Sequence, residues 1–131
     1  VAIVTVLALF EFLWFGIQVG RARVRFSIPA PATSGNDVFE RYFRVHMNTL
    51  EQLAMFLPTL WIFAYYVSPI WAAALGAVFL VGRAIYGISY LRDPNSRSLG
   101  FSLSVLPTLA MMIGILIWAI RAIIITAGVE G

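Results

Sequence analysis

The chain has 131 residues, of which 61% are hydrophobic and 11% charged, whereas soluble domains average roughly 45–50% apolar and about 25% charged. A water-soluble protein this small needs a polar skin, so an ordinary soluble enzyme and a disordered tail are excluded and a bilayer protein is indicated. The formal charge of +3 rests on nine arginines without a lysine; with no basic run or aromatic–basic repeat, nucleic acid is not expected as a partner.

No cysteine is present, which removes disulfides, thiolate metal sites and a cysteine nucleophile. The single histidine leaves no multi-histidine metal site, and no metal is expected.

The first predicted helix covers residues 1–19. It is apolar except for Thr5, Glu11 and Gln18 and long enough to cross a bilayer, which takes roughly 20 residues. It lacks the basic start and small-residue cleavage site of a signal peptide. Gly20 to Asn36 carries Arg21, Arg23 and Arg25, then Pro29, Pro31 and Gly35, and reads as a loop.

The second helix is predicted over 37–67. Asp37-Val-Phe-Glu40 has the form of a capping box. At 1.5 Å per residue this helix is about 45 Å long, more than the ~30 Å hydrocarbon core. Its first half is amphipathic and charged and its second half almost wholly apolar, with Pro58 expected to bend it.

Ser68-Pro69 restarts the chain as an N-cap followed by proline at the first helical position. The third helix is predicted over 69–91, ending ahead of Asp93-Pro94. The fourth is predicted over 98–126, capped by Ser96 or Ser98, bent at Pro107 and stopped near Gly128. The fold class is therefore an all-α integral membrane protein, a bundle of four transmembrane helices in one domain spanning 1–131.

Arginines set the orientation. Arg21, Arg23, Arg25, Arg41, Arg44, Arg92 and Arg97 lie at the ends joined by the first and third loops, against Arg121 alone at the other end. The positive-inside rule puts those two loops in the cytoplasm, at a bacterial inner membrane or the endoplasmic reticulum.

Ionisable residues in membrane helices are costly and commonly functional. Arg44, Asn48 and Glu51 are spaced i, i+4, i+7, which at about 100° per residue makes one stripe. Arg83, Tyr86 and Tyr90 make another on the third helix, and Arg97 and Ser98 open the fourth. The arginines suit carboxylates, Glu51 suits an ammonium, and Asn48 and the tyrosines hydrogen-bond in either sense. Glutathione, with two carboxylates, an amine and a thiol, fits that inventory. The structural alternative is an ion pair between Glu51 and Arg83 with the tyrosines as interfacial anchors. His46 sits off the stripe, towards a neighbouring subunit or headgroups. Tyr65 and Tyr66 read as an aromatic belt, and Gly16-x-x-x-Gly20 and Ala72-x-x-x-Gly76 as helix-packing faces.

The run Phe39-Glu-Arg-Tyr-Phe-Arg44-Val-His46-Met-Asn48-Thr-Leu-Glu51 resembles the signature of the membrane-associated proteins in eicosanoid and glutathione metabolism, the MAPEG superfamily. A second match is Phe79-Leu-Val-Gly82-Arg83-Ala-Ile-Tyr86-Gly-Ile-Ser-Tyr90, followed by Arg97-Ser98. The resemblance implies a four-helix bundle that forms a homotrimer, with glutathione as cofactor between subunits near the cytoplasmic face. It implies glutathione-binding roles for Arg44, His46, Asn48, Glu51, Arg83, Tyr86 and Tyr90, and catalytic roles for Arg97, which would stabilise the thiolate, and Ser98. One of Arg21, Arg23 and Arg25 would also reach the ligand. Gln52 and Ala54 depart from the leukotriene-synthase branch, which has tyrosine at the first position and a proline near the second.

The activity implied is a membrane-bound glutathione transferase or peroxidase. It would act on a lipophilic electrophile or lipid hydroperoxide entering from the bilayer. The alternatives are a small proton-coupled multidrug exporter using Glu11, and a non-catalytic lipid-binding member of the same superfamily.

Overall fold

A computed structural model describes residues 1–130. It contains four α-helices: α1 (Ala2–Phe26), α2 (Asp37–Tyr66), α3 (Pro69–Arg92) and α4 (Ser98–Glu130), with a short 3-10 turn at Pro94–Ser96 ahead of α4. α2 and α3 form the middle of the bundle. α1 packs on both, and so does α4, with its most extensive contact on α3.

Among the described residues three stretches are long and apolar enough to cross a membrane: Ala2–Phe26, Pro69–Arg92 and Pro94–Val129. α2 is not among them. Its first half carries Asp37, Glu40, Arg41, Arg44 and Glu51, so only the part beyond Leu53 is continuously apolar. α1 and α4 leave large apolar side chains such as Phe10, Trp14, Leu116 and Ile123 exposed, as helices that face lipid do.

The core lies between α2 and α3 and takes in Val4 and Ala8 from α1 and Met111 from α4. Phe56 and Phe79 stack at its centre with ring centroids 3.7 Å apart. Buried hydroxyls are satisfied within their own helices: Thr49 donates to the Val45 carbonyl at 2.8 Å and Ser104 to the Gly100 carbonyl at 2.8 Å. That local solution suits a setting without water.

Several boundaries differ from the sequence reading. α1 runs to Phe26 rather than stopping at Val19, and ends where Ser27 turns left-handed (φ 55°, ψ 46°). Arginine is a good helix former, and Arg23 and Arg25 in the last turn complement the negative end of the helix dipole. α2 is capped one residue earlier than Asp37: the Asn36 side chain accepts from the N–H groups of Val38 (2.9 Å) and Phe39 (3.0 Å). Ser68 caps α3 as expected, accepting from the Trp71 N–H at 3.2 Å.

Neither Ser96 nor Ser98 takes the expected place at α4. Ser96 donates to the carbonyls of Ser89 and Asp93. The Arg97 carbonyl accepts from the Phe101 N–H at 3.0 Å, which puts Arg97 itself at the N-cap position. α4 also continues through Gly128 instead of ending there. Of the two predicted small-residue faces, Ala72 and Gly76 pack closely while Gly20 faces open space.

Candidate functional site

Polar residues of α2, α3 and the start of α4 gather at one end of the bundle. Arg41, one turn into α2, donates to the carbonyls of Leu91 (3.3 Å) and Arg92 (3.5 Å) at the end of α3. Those carbonyls have no helical partner, so the contact pins the start of α2 beside the end of α3. Glycine does the same for α3 and α4. A Cβ on Gly82 would stand 2.7 Å from the Leu103 carbonyl carbon, and one on Gly100 would overlap the backbone of Tyr86. The two helices approach at backbone distance, bringing Arg97 and Ser98 beside Tyr86 and Tyr90.

The result is a cleft of about 400 Å³ walled by Arg44 and Asn48 from α2, Tyr86 and Tyr90 from α3, and Arg97, Ser98, Phe101 and Ser102 from the start of α4. Tyr86 and Tyr90 stack with centroids 5.6 Å apart, forming a rigid aromatic side. Phe101 and Ser102 are the wall residues that sequence reasoning missed. They lie one turn after Arg97 and Ser98, a spacing that could have found them.

Glu51 stands outside this wall and meets Arg44 at 3.4 Å, with the two side chains 51% and 57% exposed. It does not pair with Arg83, so the structural alternative of a Glu51–Arg83 ion pair gives way to a pair along α2. A pair so exposed is weak and readily exchanges partners. Arg44 and Arg97 thus supply two cations to the cleft, and Glu51 supplies an anion at its edge.

Two predicted binding residues lie elsewhere. Arg83 has no solvent exposure and sits behind the wall, its Nη1 donating to Asn48 Oδ1 at 2.8 Å. The cleft lies at the bundle end, and α4 closes over α3 at Gly82 before Arg83 could reach it. His46 turns towards α1, stacking on Phe12 with centroids 4.5 Å apart and filling the space left by Gly16. Neither walls the cleft in this chain.

The first-loop arginines are also separate from it. Arg23 donates to the Ala32 carbonyl at 2.7 Å and lies over the Phe39 ring, so it organises its own connection. Arg21 and Arg25 line a different cavity of about 320 Å³ with Gln18 and Tyr42. Glu11 lines a smaller one of about 180 Å³ between α1 and α3.

Comparison with known proteins shows the family of the chain. The model of the MAPEG family matches residues 1–117. An uncharacterized protein of Synechocystis is 46% identical over 123 residues, covering 92% of this chain and 90% of its own. Microsomal glutathione S-transferase 2 of Homo sapiens is 36% identical over 103 residues, 79% of this chain and 70% of that protein. Leukotriene C4 synthase of Rattus norvegicus is 36% identical over 96 residues, 73% of this chain and 64% of that protein. The family match leaves the exporter alternative without support. With three helices able to cross a bilayer and a family model covering most of its length, the chain is an integral membrane protein belonging to the MAPEG family.

Proposed function

We propose that this protein is a membrane-bound glutathione transferase that ionises the glutathione thiol in the cleft and delivers it to a lipophilic electrophile. The observation that carries the reading is the convergence of Arg44, Asn48, Tyr86, Tyr90, Arg97 and Ser98 on one cleft. Relatives named as glutathione S-transferase and leukotriene C4 synthase support it. Glutathione enters as a co-substrate consumed in the reaction, not as a resident cofactor.

In this reading Arg44 and Asn48 hold carboxylate, and Glu51 releases Arg44 to take the ligand's ammonium. Arg97 faces the sulfur. A guanidinium does not deprotonate, and its place at the head of α4 adds the positive end of the helix dipole. Partial exclusion of water strengthens both. Lowering the thiol pKa by about two units, a hundredfold in its ionisation constant, requires about 2.7 kcal/mol of differential stabilisation, which one close cation and a helix terminus can supply. Ser98 or Tyr90 donates a further hydrogen bond to the sulfur.

The thiolate then attacks the electrophilic carbon. A C–S bond forms, and the bond to the leaving oxygen or halogen breaks with its electron pair. With a lipid hydroperoxide, two glutathione molecules supply the two electrons and end as the disulfide, giving an alcohol and water.

The apolar second half of α2 makes it the fourth span, its charged half standing at the cleft and the headgroups. The chain works as a homotrimer in a single domain, with the first and third loops cytoplasmic in an inner or reticulum membrane. Arg21 and Arg25 at the end of α1, which line a cavity away from the cleft of their own chain, are then available to a neighbour's ligand, whereas His46 is taken up by its packing on Phe12.

The test is the ultraviolet absorbance of a thiolate on adding glutathione to the purified protein, followed by turnover with an electrophile. Thiolate signal with turnover is expected. Binding of glutathione without a thiolate signal or turnover would instead identify a non-catalytic member.

A further inference from the structure

A second polar cluster lies behind the cleft wall. Arg83 is fully buried. Its Nη1 donates to Asn48 Oδ1 at 2.8 Å and to the Asn48 carbonyl at 3.5 Å, and its guanidinium carbon lies 4.2 Å from the centre of the Tyr86 ring. Nε and Nη2 are buried without a hydrogen-bond partner. A buried guanidinium without a counter-charge is strongly unfavourable.

Glu11 of α1 faces this stretch of α3, lining one cavity with Ala84 and Gly87, and its Oε1 is also buried and unpartnered. α1 comes this near α3 because of Gly87: a Cβ there would stand 2.9 Å from the Phe15 ring. Arg83 therefore touches two cleft residues, Asn48 and Tyr86, with Glu11 as the buried acid on the facing helix.

We propose that Arg83, with Glu11 as its counter-charge, is a positioning residue that locks the Asn48 amide in one orientation and so makes Asn48 a donor to a carboxylate of the cleft ligand. A side-chain amide has one acceptor oxygen and one donor nitrogen. A guanidinium has donors only, so the flipped amide would set N–H against N–H. With Oδ1 engaged by Arg83, Nδ2 is left to face the cleft. An acceptor such as a carboxylate is selected there over an ammonium. The cation over the Tyr86 ring fixes the neighbouring wall in the same way. The identity of the ligand as glutathione rests on the proposed function; the lock on Asn48 rests on the contacts of Arg83.

The experiment measures glutathione binding by calorimetry and thermal unfolding on the full chain in detergent. N48D keeps an acceptor for Arg83, and a charge-assisted one, so its unfolding temperature equals or exceeds that of wild type. It turns an oxygen to the cleft in place of N–H, and its dissociation constant rises about tenfold or more. R83M raises the constant by a similar factor, and R83K restores part of it by returning the charge and a donor. E11Q weakens binding less, and its effect vanishes in the R83M background.

Wild-type affinity in N48D or in a folded R83M overturns the lock. An E11Q effect of equal size in both backgrounds overturns the part given to Glu11. Should R83M fail to fold, N48D decides alone, because it retains the Arg83 contact. A wild-type protein that binds no glutathione overturns the proposed function and the ligand role of Asn48 together. Wild-type binding with unchanged variants overturns the positioning only.

Discussion

The two ends of the bundle each carry a depression of similar size and quite different makeup. At one end the cleft of about 400 Å³ is walled by side chains of three helices, two of them arginines and two tyrosines. At the other end a groove of about 500 Å³ runs between Val67 and α4, lined by Gly114, Ile117, Trp118, Ala122 and Ile125 with Arg121 as its one cation. The larger volume is the chemically poorer one. Convergence of polar groups comes from the close α3–α4 approach at Gly82 and Gly100 and from the Arg41 clamp on α3. The far end has an aromatic contact, Tyr66 on Trp118 at 4.6 Å, but no comparable polar assembly among the described residues.

Paired substitutions can break this contrast. R97A should lower glutathione conjugation about tenfold or more, as the thiolate fraction falls towards that of the free thiol, while glutathione affinity changes far less. R121A, an exposed arginine at the far groove, should leave both within about twofold. Steady-state kinetics and calorimetry on the two variants check this. Equal losses would mean that the cleft has no privilege over the groove.

Next in size is the packing that makes the cleft. G100A puts a methyl group into the backbone of Tyr86, so the start of α4 must shift, at about 1–3 kcal/mol. G20A meets nothing within 4 Å and should gain about 0.5–1 kcal/mol from helix propensity. Thermal unfolding reads the opposite signs.

How much of this was legible beforehand follows the same division. Ser68-Pro69 and Asp93-Pro94 marked their boundaries because proline constrains its neighbours locally. Helical spacing put Arg44 and Asn48 on one stripe and Tyr86 and Tyr90 on another, and the structure brings all four to the cleft. Spacing gave no account of depth. Arg83 shares a face with Tyr90 but lies seven residues earlier, roughly 10 Å down the helix, where α4 covers it. The end of α1 was not legible, because three arginines resemble a loop in composition although they extend a helix well. Spacing also left open the pairing of Glu51, which meets Arg44 two stripe positions away on α2 rather than Arg83 across helices.

Smaller effects sharpen the comparison further. E51A removes the anion beside Arg44, and glutathione affinity should fall about tenfold with the loss of a charge-assisted contact to the ligand ammonium. An unchanged dissociation constant would count against that contact.

The helix caps give the finest test, because one lies at each end. N36A removes the acceptor for two N–H groups at the start of α2, and S68A removes the acceptor for one at the start of α3. Each should cost about 1 kcal/mol of stability. Only N36A loosens the turn that leads into Arg41, and Arg41 ties α2 to the last carbonyls of α3 beside the cleft. Glutathione affinity should therefore weaken measurably in N36A and hold in S68A at matched loss of unfolding temperature. Equal affinities would show that the cleft keeps its shape without the first turn of α2, leaving the glycine contacts of α3 and α4 as its sufficient support.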